Sequence, residues 1–263
     1  MFLTYHTLIA EKIAPHITMI AFNRPEAANA LNMQMALELG DAFSTIINEP
    51  GHSRVVILTG QGKHFCAGAD LKERQGMDEE AWFKQHESFE RALQQLIACP
   101  VPVIAAVNGA AMGGGLELAL ACDFIYASPN ARFGLTETSL GIMPGLGGTY
   151  QLARRVGLAR AKELIYCGKP FSAEEALNWG VVNQLYPMDG LLAAAKDCAQ
   201  HIAQQAPLAI AAVKQAAEET SALGLKTALE HELSYYNSLL GSNDRHEGIN
   251  AFNEKRKPVF AGQ

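Results

Sequence analysis

Val107-Asn108-Gly109-Ala110-Ala111-Met112-Gly113-Gly114-Gly115-Leu116-Glu117 is the stretch on which the fold turns. Upstream, Val103–Val107 (VIAAV) is a short apolar run of buried-strand type. Downstream, residues 116–121 read as an apolar helix that leads to another strand, Phe124–Ala127 (FIYA). Three glycines therefore stand where a strand has ended and a helix begins. The first N–H groups of a helix have no partner inside it and sit at the positive end of its dipole. That arrangement suits an oxygen that gains negative charge during a reaction. A phosphate loop is the obvious rival, but the G-x-x-x-x-G-K-S/T spacing is absent and no Lys follows the glycines. A dinucleotide fingerprint fits poorly too, because the run is GGG rather than GxGxxG. Close helix–sheet packing would use the same glycines, so this stretch alone leaves both readings open.

A second stretch of the same kind lies upstream. His64-Phe65-Cys66-Ala67-Gly68-Ala69-Asp70-Leu71-Lys72 follows the β-branched run of residues 54–59 (RVVILT). Small residues after a strand let a ligand approach the main chain closely enough to use a backbone N–H. Taken alone it reads as a tight strand-to-helix turn; the two stretches together point to a two-donor oxyanion hole.

Around these stretches, residues 16–22 (HITMIAF) predict a strand. Asn32 is placed to cap a helix carrying Met35, Leu39, Ala42, Phe43 and Ile46 on one face. Residues 80–97 predict a second helix that stops before Pro100 and Pro102. Strand and helix thus alternate to about residue 157, the pattern of stacked parallel units. Beyond Ser172 the strand signal fades, and residues 173–179, 191–204, 208–219 and 227–240 read as helices. Asp244 with Glu247 predicts a capping box for one more. The expected architecture is an α/β core over residues 1–190, holding the site, followed by a helical region over 191–263.

Two acids complete the set. Glu117 lies on the first turn of the apolar helix, either as a surface acid complementing the dipole or as a buried acid kept for chemistry. Glu137 sits in a segment with few charges, Phe133–Gly145 in its widest reading. Two carboxylates in a partly apolar site resist double ionisation, so one stays protonated near neutral pH. One base and one acid beside an oxyanion hole suit proton transfers next to a carbonyl.

The bulk numbers bound the rest. A chain of 263 residues with 49% hydrophobic residues can bury a large core. Its opening residues lack the features of a secretory signal or transit peptide, and its apolar runs are too short to span a bilayer. Five scattered cysteines without a CxxC pair read as reduced, which suits the cytoplasm. A net charge of −6 argues against general nucleic-acid affinity. The eight histidines show no HxxxH spacing, so no metal site is expected.

The chain resembles the crotonase (enoyl-CoA hydratase/isomerase) family over essentially its whole length. The landmarks are Asn23-Arg24-Pro25 with Asn29-Ala30-Leu31-Asn32, Ala67-Gly68-Ala69-Asp70-Leu71-Lys72, and Asn108-Gly109 with Gly113-Gly114-Gly115-Leu116-Glu117. Pro144-Gly145 with Gly147-Gly148-Thr149, and Glu247-Gly248 with Ala251-Phe252-Asn253-Glu254-Lys255-Arg256, continue the match. The resemblance implies a spiral of ββα turns, a homotrimer or homohexamer, and an acyl-CoA thioester substrate. It implies that the N–H groups of Ala69 and Gly114 hold the thioester carbonyl and that Glu117 and Glu137 flank a water, with Gly145 leaving room beside it. No cofactor is implied, since CoA is part of the substrate.

For CoA itself the resemblance points to Ala27 and Ala28 near the pantetheine, and to Ala67, Leu71 and Lys72 near the adenine, with Asp70 between them. Ala28 stands where the family commonly has Leu. Phe252 and Lys255, on the last helix, are implied to come from a neighbouring subunit; read without the resemblance they are an apolar helix face and a C-terminal cation. Other reactions on the same fold are double-bond isomerisation and hydration of a branched or dicarboxylic acyl-CoA of methylglutaconyl type. In the loop 73–80, Arg74 reads as a solvated charge rather than as a partner for a distal carboxylate. A non-catalytic RNA-binding or scaffold module is the alternative from another class; the intact Glu pair and the acidic balance count against it.

Overall fold

Near-continuous apolar runs are what parallel strands buried on both faces require. In the computed structural model, which describes residues 4–49 and 51–263, four such runs lie side by side in parallel. They are β2 (Ile17–Phe22), β3 (Val55–Gly60), β4 (Val103–Val107) and β6 (Phe124–Ala127). The strands expected at 16–22 and 54–59 are thus present with their ends moved by one residue. β1 (Leu8–Ala14) pairs antiparallel with β2 at one edge, and β9 (Gln184–Leu185) closes the other, giving the order β1-β2-β3-β4-β6-β9. β1 was not foreseen; its interior residues Glu11 and Lys12 are exposed, as an edge strand allows. The reading of the opening segment as free of a secretory signal falls partly on residues 1–3, which lie outside the described residues, as does Pro50.

A smaller sheet, β5-β7-β8, is built from β5 (Ala110–Met112), β7 (Arg132–Gly134) and β8 (Phe171–Ser172). Cys66 joins it through a parallel bridge to Ala111. Each turn of the chain therefore gives one strand to the large sheet, one short segment to the small sheet, and then a helix. β3, the Cys66 bridge and α3 (Glu79–Ile97) form one turn; β4, β5 and α4 (Gly114–Leu120) form the next. β6, β7 and the pair α5 (Gly148–Val156) and α6 (Leu158–Cys167) form a third, and the expected spiral of ββα turns is what the structure has.

Alternation within the strands divides the core. Val56, Leu58 and Ala105 face the cluster that holds α1 (Met33–Asn48), α3 and α4. Val55, Ile57, Ile104 and Ala106 face Leu191, Ala195 and Ala199 of α8 (Leu191–Ala203). After α7 (Ala173–Asn178) and α8 come α9 (Pro207–Thr220), α10 (Leu225–Ser238) and α11 (Asn243–Asn253). Lys214 of α9 reaches back to the Asp123 carboxylate at 2.8 Å and the Val101 carbonyl at 3.0 Å. The expected capping box of the last helix is corrected: Ser242 is the cap, accepting from the Arg245 N–H. Asp244 is instead buried and accepts from the Ala261 and Gly262 N–H groups, so it pins the chain end rather than the helix start. All five cysteines are free, and Cys66, Cys99 and Cys122 are buried.

Where the strands of the large sheet end, buried amides tie the loops. Asn108 donates to the carbonyls of Gly60 and Gly62. Asn29, fully buried with φ of 56°, accepts from the Arg24 N–H at 2.8 Å and donates to the carbonyls of Gln61 and His64. Asn tolerates that left-handed backbone better than most residues. The Asn29→Ala variant loses all three bonds and gains backbone strain, and is expected to lower unfolding free energy by about 3 kcal/mol in urea titration. Asn29→Gly removes the strain but not the lost bonds, and is expected to fall between that variant and the parent.

Candidate active site

The two stretches singled out in the sequence meet at the start of α4. Cys66 accepts from the Met112 N–H, and the Cys66 N–H donates to the Ala110 carbonyl, so the two main chains run side by side. Two residues on, Gly68 has φ of 94°, and a methyl group placed there would stand 2.8 Å from the Met112 carbonyl oxygen and 3.6 Å from the Gly114 nitrogen. No side chain fits between them. Leu31 donates to the Gly68 carbonyl and accepts from the Asp70 N–H, which leaves the intervening Ala69 N–H outside that pairing. Gly114 is the first residue of α4, and its N–H has no partner within the helix. Gly114 and Gly115 belong to the helix's first turn and Gly113 is its cap, so the helix begins two residues before the expected start at 116. Ala69 and Gly114 line one cleft of about 490 Å³, and two main-chain donors from separate segments border the same space.

Glu117 and Glu137 line that cleft as well. Glu117 is buried, which excludes the reading of it as a surface acid on α4. One of its oxygens, Oε1, accepts from the N–H groups of Leu146 at 2.7 Å and Gly148 at 2.8 Å. A Cβ on Gly148 would stand 2.9 Å from that oxygen, so glycine is what lets the loop close on the acid. Burial pushes the Glu117 carboxyl up to about 7, opposed by these N–H donors and reinforced by the charge of Glu137. Glu137 opens a short 3-10 turn, Glu137–Leu140. Its Oε1 lies against Gly113, where a Cβ would approach to 2.9 Å, and its Oε2 is buried without a hydrogen-bond partner among the described residues. Burial raises its pKa too. The two donors favour the charged form of Glu117; Glu137 has no such help from the loop. Burial raises both carboxyls, and the two acids differ in that Glu117 is held by the loop donors while Glu137 Oε2 has no partner among the described residues.

The remaining expected residues divide. Ala67, Leu71 and Gly145 line the cleft; a Cβ on Gly145 would meet the His86 ring at 2.9 Å, so glycine there leaves space for that ring. Ala27, Ala28, Asp70 and Lys72 lie outside the cleft wall, although Ala28 accepts from the Ala67 N–H. Asp70 pairs with Arg24 at 2.9 Å and caps α2 (Leu71–Arg74), and both interactions hold its carboxyl below the usual range despite burial. Phe252 is 83% exposed on α11, and neither it nor Lys255 touches this chain's own cleft.

Sequence reasoning missed the apolar wall: Trp82, His86 and Phe89 from α3, and Leu140, Ile142, Met143 and Leu146 from the loop before α5. The α3 residues recur at helical spacing, which reads as ordinary core. It also misjudged Arg74. That side chain is half-buried, lines the cleft and stacks 4.1 Å over the Trp82 ring, so it is not a solvated charge. No group of His, Cys, Asp and Glu side chains arranged to hold a metal occurs among the described residues, and none of the described helices is long and apolar enough to cross a membrane.

Comparison with known proteins bears on the family and the fold. The family profile described as enoyl-CoA hydratase/isomerase matches residues 12–263. The chain is 39% identical over 247 residues to 2,3-dehydroadipyl-CoA hydratase of Escherichia coli, covering 94% of this chain and 96% of that protein. It is 38% identical over 259 residues to crotonyl-CoA hydratase of Syntrophomonas wolfei, covering 98% and 99%. A crystal structure of an enoyl-CoA hydratase from Bacillus anthracis superposes with a TM-score of 0.95 at 43% identity, covering 98% of this chain and all of that one.

The raised Glu117 has a consequence for stability. Its folded pKa of about 7 exceeds the ordinary value of 4.5, so the folded state holds its proton longer as pH rises. Stability is therefore lost between those two values and the penalty is complete above the higher one, at about 3 kcal/mol. The Glu117→Gln variant keeps an acceptor for Leu146 and Gly148 but carries no charge. It is expected to be more stable than the parent at about pH 8, with the gap closing near pH 5, as read by urea unfolding at both values. A variant less stable than the parent at the higher pH would contradict the buried-acid description.

Proposed function

We propose a hydratase activity for this chain, which belongs to the enoyl-CoA hydratase/isomerase family: it adds water to a 2-enoyl-CoA to give a 3-hydroxyacyl-CoA. The observation that carries the reading is the pair of buried acids in unequal environments beside two unpaired main-chain donors. The thioester oxygen accepts from Ala69 and Gly114, which withdraws charge from the β-carbon. A water held between the acids is deprotonated by Glu117 as it attacks that carbon. The electron pair moves toward the thioester oxygen, where the donors stabilise it more strongly than in the ground state. Glu137 then delivers its proton to the α-carbon, and the proton taken by Glu117 returns the pair to its starting charge after exchange. The reaction as written needs neither metal nor redox carrier. A double-bond isomerase needs one acid to move one proton; the fixing of Glu117 by Leu146 and Gly148 supports the two-acid reaction instead.

The CoA moiety is assigned to the rim: pantetheine along Ala27, Ala28 and Ala67, adenine by Leu71 and Lys72, with Asp70 holding the loop through Arg24. Phe252 and Lys255 complete a neighbour's site in a homotrimer or a homohexamer. The support is α10, which buries none of its residues and leaves Leu225, Leu229, Leu233 and Tyr236 exposed. The reading also places the protein in the cytoplasm, as a soluble enzyme without nucleic-acid or membrane partners.

The first measurement is the loss of enoyl-thioester absorbance with crotonyl-CoA. Loss is expected for the parent, with kcat/KM falling on the acid side near the Glu117 value of about 7, because the base must be ionised. Glu117→Gln and Glu137→Gln are each expected to fall at least about a thousandfold, by removing the base and the acid. Turnover of 3-enoyl-CoA with none of 2-enoyl-CoA of any chain length would replace hydration by isomerisation. Light scattering during size exclusion is expected to give three or six times the 28.4 kDa chain mass, and a monomer would remove Phe252 and Lys255 from the site.

A further inference from the structure

The cleft wall contains one group that the hydration step does not use. Arg74 closes α2 and lines the cleft that Glu117 and Glu137 also line, with the Trp82 and Phe89 rings beside its guanidinium. Three contacts fix it. Its Nε donates to Gln85 Oε1 at 2.8 Å, its face lies 4.1 Å from the Trp82 ring, and the Phe89 ring is 5.6 Å away. Gln85 is itself fully buried, and its amide donates to Glu73, so the bond that orients Arg74 is set from behind.

The two terminal nitrogens have no protein partner among the described residues. The adjacent acid, Glu73, is committed elsewhere: its carboxylate accepts from the Met33 N–H at 3.0 Å and from Gln85. Burial draws the Arg74 pKa below that of a free arginine, yet a guanidinium remains charged at neutral pH. A partly desolvated cation with an unpaired, planar pair of donors is matched by a carboxylate, which accepts both in parallel.

We infer that Arg74 selects enoyl-CoA substrates whose acyl chain carries a second, free carboxylate, which it binds through its terminal nitrogens. This rests on the hydratase reading for the reaction but not for the binding site itself. A carboxylate on the acyl chain and a phosphate of CoA are both anions, so the test holds CoA constant and changes only the acyl end.

Saturated analogues report binding without turnover. Adipyl-CoA is compared with hexanoyl-CoA, and glutaryl-CoA with pentanoyl-CoA, by isothermal calorimetry. In at least one pair the parent is expected to bind the carboxylated ligand roughly ten- to hundredfold more tightly. Arg74→Gln is expected to bring that ratio close to one, and Arg74→Lys to keep part of it as a point charge without the fork. The matching 2-enoyl-CoA pairs are expected to show the same change in their kcat/KM ratio. No preference in either pair, or a ratio that survives Arg74→Gln, overturns the inference; equal weakening of both ligands would assign Arg74 to packing or to CoA. Hydration without the preference would sink the carboxylate site and leave the hydratase standing. The preference in binding without hydration of any 2-enoyl-CoA would do the reverse.

Discussion

The close approach of two main chains, Cys66–Ala69 and Met112–Gly115, is the constraint on which the rest of the site depends. A Cβ at Gly115 would overlap the Cys66 carbonyl oxygen, and one at Gly68 would crowd the Met112 carbonyl. Only with both side chains absent can a bridge of the small sheet and the first turn of α4 lie so close. That contact brings a helix-start residue and a bridge-end residue, Gly114 and Ala69, to the wall of one cleft. Main-chain donors held by sheet and helix cannot change rotamer, and they need no reorganisation when charge develops on a ligand oxygen.

The same packing sets the acids. Glu117 rides on α4 three residues after Gly114, so the turn that presents a donor also presents a carboxylate. Seven consecutive residues of that helix are buried, and an acid in such a place would be protonated or expelled without partners. Leu146 and Gly148, the first residue of α5, donate two N–H groups to one oxygen. Glu137 reaches the cleft from a different turn of the spiral, beyond β7, and receives no equivalent support. The difference between the acids is thus a difference between two backbones. Burial of Glu117 carries a stability penalty at neutral pH, and its carboxyl is raised to about 7.

The parts legible in the sequence were those written in local pattern. Apolar runs such as VVILT and VIAAV announced the central strands, and the alternation with helices announced a parallel core. The glycine run and the AGAD turn pointed to backbone donors only as a pair, because each alone fits close packing or a tight turn equally well. Parts that depend on distant contact were not legible. Asp244 looks like a helix-start acid until the chain end, Ala261 and Gly262, is seen folded onto it. β1 escaped notice because an edge strand pairs on one side and carries charges such as Glu11 and Lys12. Gly148 was a landmark without a stated role, since its partner Glu117 lies a full turn of the spiral away.

Arg74 shows why chemistry and specificity differ in how well they can be read. The proposed reacting centre is made of backbone geometry and two acids, which short motifs in the sequence mark. The acyl wall comes from α2, α3 and the 140–146 loop, where side chains meet only after three separate segments have packed. Arg74 followed by Gln75-Gly76-Met77-Asp78 looks like any charged loop. Its character is decided eight and eleven residues on, by Trp82 and Gln85, whose helical spacing resembles ordinary core packing. A charge in water and a charge fixed over an indole ring have the same one-letter code. They differ in what they cost to leave unpaired, and that cost is what a pocket uses to choose its ligand.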